Sequence, residues 1–478
     1  MTSGHQSNVI NMVRYNMKYI WLITLTAALG GFLFGYDFVV IGGAKPFYEP
    51  FFNLISSKQK GWGTSSAIVG CVIGTLLCIL LSDKLGRKRL LIASGFLFTF
   101  SAVGTALAPN FFLFNASRLI GGIAMGTALN LAPMYIAEIA PSQKRGMLVT
   151  VNQLMIMIGL LSAQIINLLI SRLDTELIAN PSFQMIKESW SGQFGWRWMF
   201  GAETIPALLF FILMFTVPES VRWLVKDGQE NKALKILGKV GGEKYAREEI
   251  EEIKRTISKE NVSSVNFKEL LHSKILGLIG LGMFLAFLQQ WSGINVVIYY
   301  ASDIFLAAGF NLKEMMVQIV AIGLVMLIAV IITIFTVEKL GRRLILLIAT
   351  FSMAMIYGLI GVGFYTGNTG TTIVVLVLLN VMFYSLSLAP LFWVVISEIY
   401  PNRIRGAAMS IGATTHWVAN FLLTFSFPVI KETIGWANNF WLYGVICLTG
   451  FIVLYKFLPE TKGKSLEQIE REIAGTRS

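Results

Sequence analysis

Twelve stretches of the chain stay apolar for about the length a bilayer core demands of a helix, roughly 20 residues. They fall near 19–41, 63–82, 89–108, 111–138, 146–170, 197–217, 275–301, 315–337, 344–366, 371–397, 406–428 and 437–458. The polar segments between them are short, apart from one that runs from Pro218 to Lys274. There the pattern changes: Leu224, Ala233, Leu234, Leu237, Ile250, Ile253 and Ile257 recur at helical spacing among Lys and Glu. This predicts a few short amphipathic helices outside the membrane, interrupted at Gly238, Gly241 and Gly242. The expected architecture is an all-α membrane protein with twelve transmembrane helices. An N-terminal six-helix bundle (1–217) precedes the amphipathic linker (218–274), which is followed by a C-terminal bundle (275–458) and a tail (459–478). The first seventeen residues are polar and show no cleavage site ahead of an apolar core, so the first span is expected to stay as an uncleaved anchor.

Composition excludes the other classes. Of 478 residues 55% are hydrophobic and 14% charged, against roughly 25% charged in a soluble domain, and the mean hydropathy is +0.66. A soluble, disordered or disulfide-built chain is ruled out. The net charge of +12 comes from residues scattered over short loops rather than a stripe, so nucleic acid is not an expected partner. Most of the Lys and Arg fall in segments that share one side if both termini are cytoplasmic, which is the positive-inside bias of a multi-pass plasma-membrane protein. Cys71 and Cys78 share one helix face, and Cys447 lies in another span. Their spacing suits neither a metal nor a disulfide, and packing is the expected role. With no phosphate loop, metal cluster or nucleophile constellation, neither an enzyme nor a cofactor is expected.

The chain repeats itself. Asp83-Lys-Leu-Gly-Arg-Lys after span two returns as Glu338-Lys-Leu-Gly-Arg-Arg after span eight. Ile-Ala-Glu138-Ile-Ala-Pro-Ser-Gln-Lys-Arg145-Gly after span four returns as Ile-Ser-Glu398-Ile-Tyr-Pro-Asn-Arg-Ile-Arg405-Gly after span ten. Pro218-Glu219-Ser after span six returns as Pro459-Glu460-Thr after span twelve. Two duplicated bundles related by an axis along the membrane normal account for this.

With Gly-Gly-Phe-Leu-Phe-Gly-Tyr-Asp37, Arg118-Leu-Ile-Gly-Gly, Pro133-Met-Tyr-Ile-Ala-Glu138, Gly-Trp-Arg197, Gln289-Gln-Trp-Ser-Gly-Ile-Asn295 and Pro459-Glu-Thr-Lys-Gly, these repeats resemble a sugar porter of the major facilitator superfamily. The resemblance runs from about Leu29 to Glu470. It is closest to the bacterial xylose–proton symporters and extends to the facilitative glucose transporters. It implies the major facilitator fold with two pseudo-symmetric bundles, a monosaccharide and a proton as partners, and a chain that works as a monomer.

Charges at membrane depth cost about 2.5–3.5 kcal/mol on insertion scales and need a reason. Asp37 lies about five residues before the predicted outer end of span one, and Arg118 about eight residues into span four. At 1.5 Å per residue their depths differ by about 4–5 Å, within pairing reach. A structural ion pair and a proton carrier both fit these residues. The resemblance implies the second, because its matching aspartate carries the proton and facilitative relatives have asparagine there. Glu203 in span six matches a second symporter carboxylate.

A monosaccharide presents hydroxyls that both donate and accept around apolar ring faces, so amides and an aromatic wall suit it. Gln153 and Gln164 lie in span five, Gln289, Gln290 and Asn295 in span seven, Trp393 in span ten, and Trp417 and Asn420 in span eleven. Interhelical hydrogen bonding is the competing explanation, and the one expected of Gln164. The resemblance implies sugar contacts for Gln153, Gln289, Gln290, Asn295, Trp393 and Trp417, and aromatic lining or gating for Phe34, Tyr299 and Tyr384. Leu160 and His416 stand where the xylose symporters have glutamines, and Ala389 where they have glycine. His416 joins the sugar set as a neutral hydrogen-bonding group. Gly293 and Pro390 are expected flex points in spans seven and ten.

The loop repeats put charges at matching inner helix ends: Arg87, Glu138, Arg145 and Glu219 in one half, Arg342, Glu398, Arg405 and Glu460 in the other. Acidic residues beside each arginine suggest ion pairs, which the resemblance implies close the inner side. Val221 and Glu338 depart mildly from the family pattern. A proton-coupled monosaccharide symporter is the expected function, a facilitative uniporter the alternative, and a non-transporting sugar sensor a third.

Overall fold

The computed structural model describes residues 15–172, 174, 181–262, 273–400, 404–460 and 462, and among them there is no β-strand. Five apolar helices open the chain: Met17–Phe51, Ser57–Leu85, Arg87–Ala106, Phe111–Ile139 and Arg145–Ser171. Ser191–Thr216 is the sixth span. It begins with the π-turn Ser191–Gly195 and is interrupted at Ala202 and Glu203. The seventh is in two pieces, Ser273–Trp291 and Ile294–Tyr299, separated at Gly293 (φ 84°), and a further helix, Ala301–Ala307, continues it. Leu312–Leu340 and Arg342–Thr366 follow. The tenth is broken at Ser387 into Thr371–Leu386 and Leu388–Ile399.

Helical hydrogen bonding then continues over Arg405–Phe457, 53 residues, with Gly435 at φ 79° and ψ 175° inside it. At 1.5 Å per residue a straight helix of this length would measure about 80 Å, more than twice a hydrocarbon core of ~30 Å. Gly435 turns the chain back, giving spans eleven and twelve. The chain is thus a twelve-span, all-α membrane protein.

Span one differs from its sequence expectation. It runs ten residues beyond position 41, through Lys45, Pro46, Glu49 and Pro50. Charge and proline together read as a loop, but here they continue a buried helix. Among the described residues of the linker the helices are Val221–Lys226, Glu230–Gly241 and Glu243–Val262. Of the three glycines expected to interrupt them only Gly242 does, at φ 87°, whereas Gly238 and Gly241 are helical; a further break falls at Gly228, φ 76°. The expected tail lies outside the described residues from 463 onward.

In lipid there is no hydrophobic force between helices, so close backbone contact between small residues sets the packing. Spans two and four meet glycine to carbonyl. A Cβ at Gly122 would strike the carbonyl oxygen of Ala67, and one at Gly70 that of Leu119. Spans one and five do the same, Gly35 lying on the carbonyl of Ile156 and Gly159 on that of Phe32. The two halves touch along spans one and seven (Gly42 on Ile298), two and eleven (Gly61 on Phe425), and five and eight (Gly323 on Gln164).

The repeated loop motifs build one device twice. Gly86 and Gly341 both sit at φ 88°, and the helix after each begins at an arginine. Glu219 Oε1 accepts hydrogen bonds from the backbone N–H of Arg87 and of Lys88, both at 3.0 Å. The Glu460 carboxylate accepts from Arg342 and Arg343, both at 3.2 Å. A carboxylate on the exposed N–H groups and positive dipole end of a helix is a favourable cap. Each Pro-Glu motif therefore ties the end of its bundle to the start of the third helix in that bundle.

Candidate functional site

Asp37 and Arg118 meet in the first half, both buried. The guanidinium is hydrogen-bonded to Asp37 Oδ1, and Nη2 reaches the Asp37 carbonyl at 3.3 Å. The Phe200 ring covers the Arg118 guanidinium at 5.2 Å. Asp37 Oδ2 accepts no hydrogen bond and lies over Gly121, where an added Cβ would come within 3.1 Å of it. Glu203, placed by the interruption in span six, is also buried, with Oε1 free of partners, and it interacts electrostatically with both members of the pair. The structure thus gathers two carboxyl groups around one guanidinium.

The second half gathers amides around an imidazole. Gln289 Nε2 donates to the Leu388 carbonyl at 3.0 Å, just beyond the break in span ten. Asn295 donates to Gln290 Oε1. His416 Nδ1 lies 2.9 Å from Gln289 Oε1 and 3.0 Å from Gln290 Nε2, so it donates to one amide or accepts from the other according to its tautomer. A ring of this kind serves a hydroxyl, which also does both.

Aromatic rings enclose this cluster. Phe392 stacks on His416 at 5.7 Å, Trp393 lies at 5.5 Å, and Trp417 stands edge-on at 5.1 Å. The wall crosses into the first half, because Phe34 stands against Trp417 at 6.2 Å and Phe38 against Tyr299 at 4.9 Å. Tyr384 lies beside Gln289 and Tyr299 beside Asn420. Phe38 is absent from the sequence expectation; its signal was its i,i+4 spacing from Phe34.

Gln153 is not brought into this network: it is half-buried on span five and makes no hydrogen bond with it. Leu160 is buried, and both it and Gln164 abut Gly323 of span eight. Gln164 thus sits at the contact between the halves, although its Oε1 lacks the partner expected of an interhelical hydrogen bond.

Of the loop charges, Arg87 pairs with Glu138 at 3.0 Å and Arg342 with Glu398 at 3.1 Å. Ser220 also donates to Glu138. Both ion pairs run within one half. Arg405 donates to the Tyr400 carbonyl at 3.2 Å, and Arg145 is exposed. Glu219 and Glu460 are helix caps, a role the sequence did not indicate. A cavity of about 890 Å³ opens beside these groups, lined among others by Asp83, Arg87, Glu138, Arg145, Arg222 and Glu249. It separates the span ends from the linker helix Glu243–Val262 and is distinct from the amide cluster. In it, burial raises the Glu249 carboxyl above the usual carboxylate range, with Arg145 opposing.

Residues 23–473 match the family described as sugar (and other) transporter. The chain belongs to this family. It is 35% identical to a D-xylose-proton symporter of Escherichia coli over 96% of each chain, and 34% identical to an arabinose-proton symporter of Bacillus subtilis over 96% of each. It is also 36% identical to a glucose transport protein of Synechocystis, covering 95% of this chain and 97% of that one. Among solved structures, an inward open conformation of the E. coli xylose transporter superposes with a TM-score of 0.81 at 34% identity, covering 95% of this chain and 99% of that one. The same transporter bound to 6-bromo-6-deoxy-D-glucose gives 0.76 at 35% identity, covering 96% and 100%. The fold is therefore that of the major facilitator superfamily, and the chain is a multi-pass membrane transporter.

Proposed function

We propose that this transporter carries a monosaccharide, a xylose-like pentose or a hexose, into the cell together with a proton by alternating access. The observation that carries the proposal is the buried group of Asp37, Glu203 and Arg118. One guanidinium balances one carboxylate, and an uncompensated second anion in a dry interior is expensive. The site has room for one proton: Asp37 Oδ2 and Glu203 Oε1 are both free of hydrogen bonds, and the resemblance to the proton symporters favours Asp37 as the carrier. Protonation of Asp37 weakens its hold on Arg118 and frees spans one and four to move.

The sugar is held by Gln289, Gln290, Asn295 and His416, between the faces of Trp393 and Trp417, with Gln153 closing the site from the first half. Phe34, Tyr299 and Tyr384 line the path. The bundles 1–217 and 275–458 rock about the bound sugar, with the linker 218–274 and the tail 459–478 on the cytoplasmic side. Both termini are cytoplasmic, in a bacterial inner membrane, and one chain suffices. Arg87, Glu138, Arg145 and Glu219, with Arg342, Glu398, Arg405 and Glu460, form the inner gate. The pairs Arg87–Glu138 and Arg342–Glu398 each stay within one half, which suits an open inner side.

The energetics are adequate. One charge moving through 100 mV releases about 2.3 kcal/mol, enough for roughly 50-fold accumulation, since each 1.4 kcal/mol is a factor of ten. The test is Asp37→Asn in vesicles. The proposal expects loss of uphill accumulation with sugar exchange retained; unchanged uphill accumulation would show that the proton is carried by another group, and a parent protein that only equilibrates sugar would be a facilitative uniporter instead.

A further inference from the structure

At the end of the molecule opposite the linker helices, the outer end in the reading above, a lysine is buried inside a helix. Lys45 lies on the part of span one beyond Asp37, 3% exposed. Its ammonium is 2.5 Å from Asp303 Oδ2 and 3.1 Å from Glu49 Oε1, and it lies over the Tyr300 ring at 4.9 Å. Lys60 of span two approaches the other Glu49 oxygen at 3.7 Å. A buried ammonium is tolerated only when it is paired, so these partners hold it in place.

The two carboxylates differ in what they are attached to. Glu49 is one turn along the same helix as Lys45, and it moves with it. Asp303 belongs to the other half, on Ala301–Ala307, which lies beyond the Gly293 break in span seven. Gly293 is at φ 84°, and a side chain there would meet Tyr357 and Tyr443, so this is a backbone joint that only glycine fits. Tyr300, at the base of the same segment, donates to the Thr424 carbonyl at 2.6 Å. If the outer segment of span seven swings about Gly293, Lys45 loses Asp303 but keeps Glu49. The lysine is paired in both positions, which is the property a two-state contact needs.

We propose that Lys45 and Asp303 form a latch across the two halves that holds the outer mouth closed in this conformation and parts when the mouth opens. This rests on the alternating-access reading but not on proton coupling, and it assigns a function to charges that neither the sugar cluster nor the Asp37 group uses.

The test uses the full chain in nanodiscs with spin labels at Ile55 and Thr433, exposed positions at this end in different halves, and reads their distance distribution without sugar or a proton gradient. The latch predicts a mainly short distance in the parent. Lys45→Met and Asp303→Asn should each raise the long-distance population at least threefold, and the double variant should do no more than either single one. Asp303 is partly open to water and its replacement leaves Lys45 with Glu49, so Asp303→Asn keeps the fold and stands alone if Lys45→Met fails to insert. A distribution that Asp303→Asn leaves unchanged overturns the latch, as do effects of the two substitutions that simply add. Because no gradient is involved, a chain that proves to be a uniporter would leave this result readable.

Discussion

Gln289 of span seven donates a hydrogen bond at 3.0 Å to the carbonyl of Leu388, the first residue beyond the break in span ten. One amide therefore joins the two interrupted helices of the second half, while its other end faces His416. A group that both stabilises broken backbone and meets a ligand links occupancy of the site to the shape of the bundle.

Replacing Gln289 with leucine should weaken sugar binding and loosen span ten together. Leaving a buried partner unsatisfied costs about 1–3 kcal/mol, or roughly 5- to 150-fold in Kd. Sugar titration followed by tryptophan fluorescence measures this, since Trp393 and Trp417 adjoin the site. An unchanged Kd for every pentose and hexose tried would remove Gln289 from the sugar set.

The glycine contacts between spans two and four predict a loss of a different kind. Gly122→Val pushes a side chain into the backbone of span two at Ala67, and no rotamer avoids that. The expected result is little folded protein in detergent by size-exclusion chromatography. Gly146→Val, where the space around an added Cβ is open, should give a normal yield.

How much of this was visible in the chain depends on the range of each interaction. Helical spans follow from local apolar composition, and all twelve were legible. The repeats were legible as well, but their purpose was not. Glu219 caps a helix that begins 132 residues earlier, and no local pattern announces such a partner. Lys45 and Glu49 failed for the opposite reason: locally they look like loop, and the pairing of Lys45 with Asp303, 258 residues away, cannot be read from the neighbouring sequence. The Asp37–Arg118 pair was legible because a charge inside an apolar run demands a partner and few were available. Phe38 was missed because its one signal, the i,i+4 spacing from Phe34, gains meaning only when Tyr299 is placed against it.

The linker should respond to pH through Glu249. Its carboxyl is raised by burial, so the folded form holds the proton more tightly than the undocked one. The contribution to docking is fully present below the ordinary carboxylate value and is lost as pH rises through the raised one. Glu249→Gln should therefore make docking of Glu243–Val262 less dependent on pH across the mildly acidic range. Amide hydrogen exchange of that helix, corrected for intrinsic rates, gives the answer. Equal pH dependence in the two proteins would mean that Glu249 does not control the contact.

Proton movement itself is the most direct test of the central claim. In vesicles with no imposed gradient, sugar added outside a symporter of this design should produce external alkalinisation that tracks uptake, and Asp37→Asn should abolish the pH signal while sugar exchange continues. Sugar entry with no pH change in the parent protein would contradict the account.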